Sequence, residues 1–286
     1  MVDWSAASKP VKGKDSIWVA EKASRDGAIQ TTNFATRIEA ISWLRSFAER
    51  IAGRGERALV GFDFAFGYPA GAAQLMVGSD DWREVWAFMG AQFKDDASNA
   101  NARFHVADRL NADAFSKQTT GPFWGHPVGQ SFTALSPKKP SFDGVCEHRI
   151  VEGRVPSAKS VWQMCYAGAV GGQTMTGIAA LQACRLSHPD CFSIWPFETG
   201  FSSDKAKPVT LCEVYPSLLE VVPAPGEVKD AAQVRTLVEH VAASDARGAL
   251  DSWLGTPDGL SEKELQAVLC EEGWIAGANL PKADAP

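Results

Sequence analysis

At 286 residues, 45% hydrophobic and 22% charged, the chain can bury a large core and carries no long low-complexity run, so it is expected to fold nearly throughout. A formal net charge of −6 argues against a general nucleic-acid coat protein, which binds by neutralising phosphates, but leaves room for an enzyme with a local basic groove. There is no signal peptide, no C-x-x-C pair among the six cysteines, no histidine pair at zinc spacing, and no apolar run of about 18 residues; these features predict a cytoplasmic chain with reduced thiols that does not span a membrane.

Residues 1–65 divide cleanly. "MVDWS" reads as a short strand carrying Asp3, and "KPVKG" as a turn. "DSIWVAEK" and "AIQTTNF" read as two further strands meeting at a hairpin turn around "SRDG". A helix follows, with Ile38, Ile41, Leu44, Phe47 and Ile51 at helical spacing; Thr36 and Glu39 stand at capping-box spacing and "GRG" ends it. "RALVGFDF" is then a near-continuous apolar strand of the kind buried in parallel sheets, with Asp63 at its end.

Residues 70–160 are less regular. "DDWREVWAFMGAQF" sets Trp82 and Trp86 one helical turn apart, which predicts a helix with both rings in the core. "GPFWGHPVGQSF" and "SPKKPSFDG" are loop-like, and a stretch this long between elements predicts a lid or substrate-contacting insertion. "GAVGGQTMTGIAALQACR" starts glycine-rich and turns helical, with neither a Walker A loop nor a G-x-G-x-x-G turn. Its start near Gly171 and Gly172 offers N–H groups to an anion, although close helix packing is the commoner use of such glycines.

"CFSIWPFE" and "VTLCEVYP" read as two strands, the second bringing Glu213 to its end. A helix from about Asp230 carries the stripe Val234, Leu237, Val238, Val241 and is expected to break near Ser244–Gly248, before a second helix holding Asp251. Ser261 and Glu264 cap a last helix, with Leu260 stapled against Leu265, and the tail "LPKADAP" is expected to fray.

Four acids stand at element ends or in apolar settings: Asp3, Asp63, Glu213 and Asp251, with Asp245 as an alternate for the last. Carboxylates converging at strand ends suit a hard divalent cation, Mg2+ or Mn2+, which keeps several waters and needs no His or Cys. Each acid also has an ordinary explanation. Asp3 lies near the start of the chain, Asp63 is able to cap its own turn, Glu213 to pair with an arginine, and Asp245 to cap a helix.

Several motifs resemble a large bacterial family, domain of unknown function 429, regarded as ribonuclease-H-like nucleases. They are "VDWSA", "GFDFAFGYP", "EVYPSLL", and "GALDSWL" with "EGWI", in an order that spans nearly the whole chain. The resemblance implies an α/β fold over residues 1–286: a ribonuclease-H-like mixed sheet of three antiparallel strands followed by parallel strands, helices on both faces, and a helical and loop insertion over roughly 70–165. It implies Asp3 and Asp63 on neighbouring strands, Glu213 at a nearby strand end and Asp251 on the last helix as catalytic acids. Asp3, Asp63 and Asp251 or Asp245 would hold the metal. The family's Asp-x-x-Asp-Ala helix pattern keeps only one acid here.

The leading expectation is a metal-dependent phosphodiester hydrolase acting on nucleic acid, with Ser5, Lys9 and Lys12 of the first hairpin contacting substrate. A second is an actin-like phosphotransferase acting on a phosphorylated small molecule, which would need a second copy of the strand–strand–strand–helix unit. A third is a non-catalytic binding protein of the same fold, which suits the incomplete helix pattern and the aromatic-rich stretch around Phe123, Trp124 and Phe132.

Overall fold

A computed structural model of the chain describes residues 1–23, 27–115, 121–202 and 207–280. The turn expected at "SRDG" and the frayed tail lie largely outside the described residues. The strands are β1 (Val2–Asp3), β2 (Ile17–Glu21), β3 (Gln30–Phe34), β4 (Ala58–Phe62), β5 (Phe192–Ile194) and β6 (Val209–Glu213). They form one mixed sheet in the order β3-β2-β1-β4-β6-β5. β1, β2 and β3 pair antiparallel, whereas β1, β4, β6 and β5 pair parallel. The expected α/β class and mixed sheet are therefore present. Because the four parallel strands point the same way, their carboxyl ends share one edge, where open α/β sheets leave room for ligands.

Helices cover both faces. On one, α1 (Arg37–Gly53), α3 (Trp82–Gln92) and α6 (Gly171–Ser187) bury a core with Val2, Val19, Phe62, Leu211 and Ile194. On the other, α7 (Lys229–Ala246) packs Val234, Leu237 and Val241 over Ala20, Cys212 and Val214. Alternate residues of each strand feed opposite cores, as a period-two backbone requires. α6 is apolar on nearly every side because neighbours surround it. Gly177 is required there, since a Cβ would lie 2.3 Å from the Phe64 ring.

α1 opens with the expected capping box between Thr36 and Glu39. Its buried stripe is Ala40, Ile41, Leu44, Ala48 and Ile51, while Ile38 is exposed. Arg37 turns inward instead, its guanidinium bonded to Asp95 and to the backbone oxygens of Ala7 and Asn99. α7 ends at Ala246 and α8 (Asp251–Leu254) follows, so the expected break is present. α9 (Glu262–Ala267) carries the Ser261–Glu264 capping box and runs into a π-helical turn, Val268–Glu272.

The sequence pattern does not reveal α2 (Ala72–Val77), α4 (Arg103–Asp113) or α5 (Ile150–Arg154). The aromatic-rich stretch is internal at Phe123, which is fully buried and meets Trp162 edge-on at 4.8 Å with Phe115 and Tyr68 alongside, whereas Trp124 and Phe132 are half-buried. Among the described residues no helix is long and apolar enough to cross a membrane, and all six cysteines are free.

Candidate functional site

Register brings two acids together. Val2 of β1 is opposite Phe62 of β4, so Asp3 and Asp63, each one residue further, stand side by side at the carboxyl edge. Their side chains are hydrogen-bonded to each other. The backbone N–H of Trp4 donates to Asp63 Oδ1 at 2.7 Å, which fixes that carboxylate. Burial pushes the Asp3 carboxyl well above its ordinary value, and the negative charges of Asp63, Asp230 and Asp15 push it further. Burial raises Asp63 too, but the bonds it accepts from Asp3 and Trp4 oppose that rise. Both carboxyls are thus held above their ordinary value, Asp3 the further of the two.

The third acid near this pair is Asp230, in the first turn of α7, which no motif singled out. Its carboxylate accepts the N–H of Asp15 at 2.8 Å, and the Asp15 carbonyl accepts the hydroxyl of Ser5 at 2.9 Å. Among the described residues, no Lys or Arg forms an ion pair with Asp3, Asp63 or Asp230. Nor does any group of three or more His, Cys, Asp or Glu converge closely enough to hold a metal ion.

Asp63 borders a cleft of about 360 Å³ whose walls include Arg149, Lys159, Gln173, Glu213 and Tyr215. Gln173, at the start of α6, donates to the Trp4 carbonyl at 2.7 Å and so ties this helix to the acid-bearing edge. Glu213 is in register with Phe62, one residue short of Asp63, and lines another side of the cleft. It is gripped by Arg149, whose two terminal nitrogens reach its oxygens at 2.8 and 2.6 Å. Arg149 also bonds Glu152 at 3.0 Å. Burial alone would lower the arginine's pKa, but the carboxylates of Glu213 and Glu152 outweigh it and raise it. Glu213 therefore forms a neutralised wall of the cleft.

The other residues expected at the site lie elsewhere. Asp245 is exposed near the end of α7; at 1.5 Å rise per residue it stands about 22 Å along the axis from Asp230. Asp251 is exposed at the start of α8, which is fastened to that same end of α7 by the Trp253 indole bonding Ser244. Helix length separates both from Asp3. Ser5 is buried and holds the Asp15 loop rather than facing the cleft. Lys9 is exposed in a loop bonded through its carbonyl to Asn99, and Lys12 lines a separate groove with Asn33, Phe34 and Trp43. Compared with protein-family models, curated proteins and solved structures, the chain matches none of them.

Proposed function

We propose that this chain is a ribonuclease-H-like, metal-dependent phosphodiester hydrolase in which Asp3 and Asp63 hold a hydrated Mg2+ or Mn2+. One observation carries the reading: two carboxylates from neighbouring parallel strands stand side by side at the carboxyl edge, beside a cleft, with a third acid near and, among the described residues, no ion-paired Lys or Arg. The strand order, with an antiparallel trio joined to parallel strands, is compatible with the fold this reading needs.

The donor set fits such an ion. Mg2+ retains several waters and needs only one or two carboxylates, so a three-residue protein cage is not required. When bound, the ion would supply a Lewis acid that activates water and offsets charge on a phosphate. The chain's own part is to orient Asp63 through the Trp4 N–H, to hold Asp3 beside it, and to present Lys159 at the cleft wall. Because both carboxyls are raised and must be ionised to hold the ion, metal affinity should rise with pH.

Calorimetric titration of Mn2+ into the wild type and Asp63→Asn, with cleavage assays on labelled single- and double-stranded substrates, tests this reading. Binding in the wild type, loss in Asp63→Asn and Mn2+-dependent cleavage are expected. No heat and no cleavage in the wild type would sink the proposal. ATP consumption with intact polynucleotide would replace it with phosphoryl transfer.

A further inference from the structure

We propose that the surface running from Arg103 to Tyr166 is a track for single-stranded polynucleotide leading to the Asp3–Asp63 site. The inference rests on the hydrolase reading above and names its substrate class.

Arg103 opens α4 with Nη1 bonded to Ser8 Oγ and Asn101 Oδ1, each at 2.8 Å. Among the described residues no carboxylate pairs with it. Its charged neighbour Arg37 is already committed to Asp95. Burial draws its pKa down to about 10, which leaves it charged at neutral pH. A half-buried guanidinium with donors and no acid is the complement of a phosphate. Its stem reaches the chain that leaves β1. A Cβ on Gly172 would lie 2.7 Å from Arg103 Cδ and 3.3 Å from Ala6, so the stem crosses the first turn of α6 beside the chain leaving β1. Ala6 is two residues past Trp4, the residue that anchors Asp63.

Aromatic rings continue from this arginine. Its guanidinium stacks 4.4 Å from the Phe104 ring, and Phe104 lies 6.1 Å from Phe132. His105 and His126 each meet Phe132 at 5.2 Å. Tyr166 bonds the His126 carbonyl through its hydroxyl at 3.0 Å and leaves 49% of its surface exposed. Its backbone holds φ +77, a left-handed conformation that bulky residues rarely adopt and that tends to occur where a loop is shaped for function. Two residues on, Gly168 begins the rim of the cleft beside Asp63.

A cation followed by the half-buried Phe104 and Phe132 and the exposed His105 and Tyr166 suits a strand whose bases are free to stack, and such stacking tolerates any base. Bases in a duplex already stack on one another and would not reach these rings. The net charge of −6 leaves little non-specific attraction, so the rings and Arg103 must supply the affinity.

The test is fluorescence anisotropy in chelator, so that metal and cleavage play no part. The probes are labelled oligo-dT, oligo-U, an abasic strand of equal length and a duplex. Both base-bearing strands should bind, with the abasic strand and the duplex about tenfold or more weaker. Tyr166→Ala should weaken oligo-dT about tenfold and leave the abasic strand unchanged, whereas Tyr166→Phe should retain binding. Arg103→Gln should weaken both strands and lower the salt dependence by about one phosphate contact. Equal binding of the abasic strand or duplex would overturn the track, as would a folded Tyr166→Ala that binds like the wild type. Base-dependent binding without Mn2+-dependent cleavage would sink the hydrolase reading alone. Duplex cleavage indifferent to Tyr166 would sink the track alone.

Discussion

Asp3 and Asp63 keep an acidic pair in an apolar strand edge because each satisfies the other's hydrogen-bonding need and the Trp4 N–H completes Asp63. The arrangement opposes stability at neutral pH. A carboxyl whose pKa is raised on folding binds its proton more tightly in the folded than in the unfolded chain. Stability therefore falls as pH rises from about the ordinary aspartate value of 3.8 toward the raised one. Asp3→Asn removes that loss, since its amide N–H still donates to Asp63. In metal-free buffer the variant should melt above the wild type at pH 7, by roughly 2 °C per kcal/mol gained in a chain of this size. The gap should close near pH 4. A variant that melts below the wild type throughout the range would show that the pair stabilises the fold instead.

At the scale of elements, the cleft owes its shape to contacts from distant parts of the chain. The π-helical turn Val268–Glu272 clasps the "GYP" loop: Glu271 accepts the N–H groups of Gly71 and Ala73, and Glu272 those of Ala70 and Ile150. A Cβ at Gly67 would lie 2.0 Å from the Glu271 carbonyl, so this glycine is demanded by the clasp. Arg149 joins the same turn to β6 by bonding the Glu272 carbonyl and Glu213. Arg149→Met leaves the Glu213 and Glu152 carboxylates buried without their cation and should cost about 3–5 kcal/mol in chemical denaturation. Replacing Glu213 by Met in the same chain should recover part of that loss. No recovery would mean that the methionines leave a packing defect as costly as the stranded charge.

These contacts explain what the sequence made legible. β1 to β4 and α1 are local features, set by alternation, a hairpin and a capping box, and each is readable within some ten to twenty residues. Asp3 and Asp63 are conspicuous one by one, each a carboxylate in an apolar strand; that they neighbour each other is what the family resemblance implies. Asp230 is not conspicuous, because an acid in a helix's first turn is ordinary, favoured there by the helix dipole. Arg149 lies 64 residues from Glu213 in an irregular segment, and no periodicity signals such a pairing. Asp245 and Asp251 look like site acids in one dimension, yet the straight run of α7 carries them away from Asp3.

For the whole molecule, the decisive feature is that one sheet serves both cores. Trp4, Trp82, Trp86 and Trp162 are buried on the α1–α3–α6 side, and Trp195, Trp253 and Trp274 on the α7 side. Neither layer retains its core if the strands between them separate, so the chain should unfold in one step, with tryptophan fluorescence and far-ultraviolet dichroism tracing the same curve. The acid pair lies where β1 and β4 meet, strands that contact both cores. A cation bound there should move the entire transition rather than one part of it. At a hundred times its dissociation constant Mn2+ should add about 2.7 kcal/mol, or roughly 5 °C, to both probes alike. The shift should shrink as pH falls, because the proton on Asp3 competes with the metal. Two separated transitions, or a Mn2+ shift seen by one probe only, would mean that the two faces fold independently and that the site belongs to one of them.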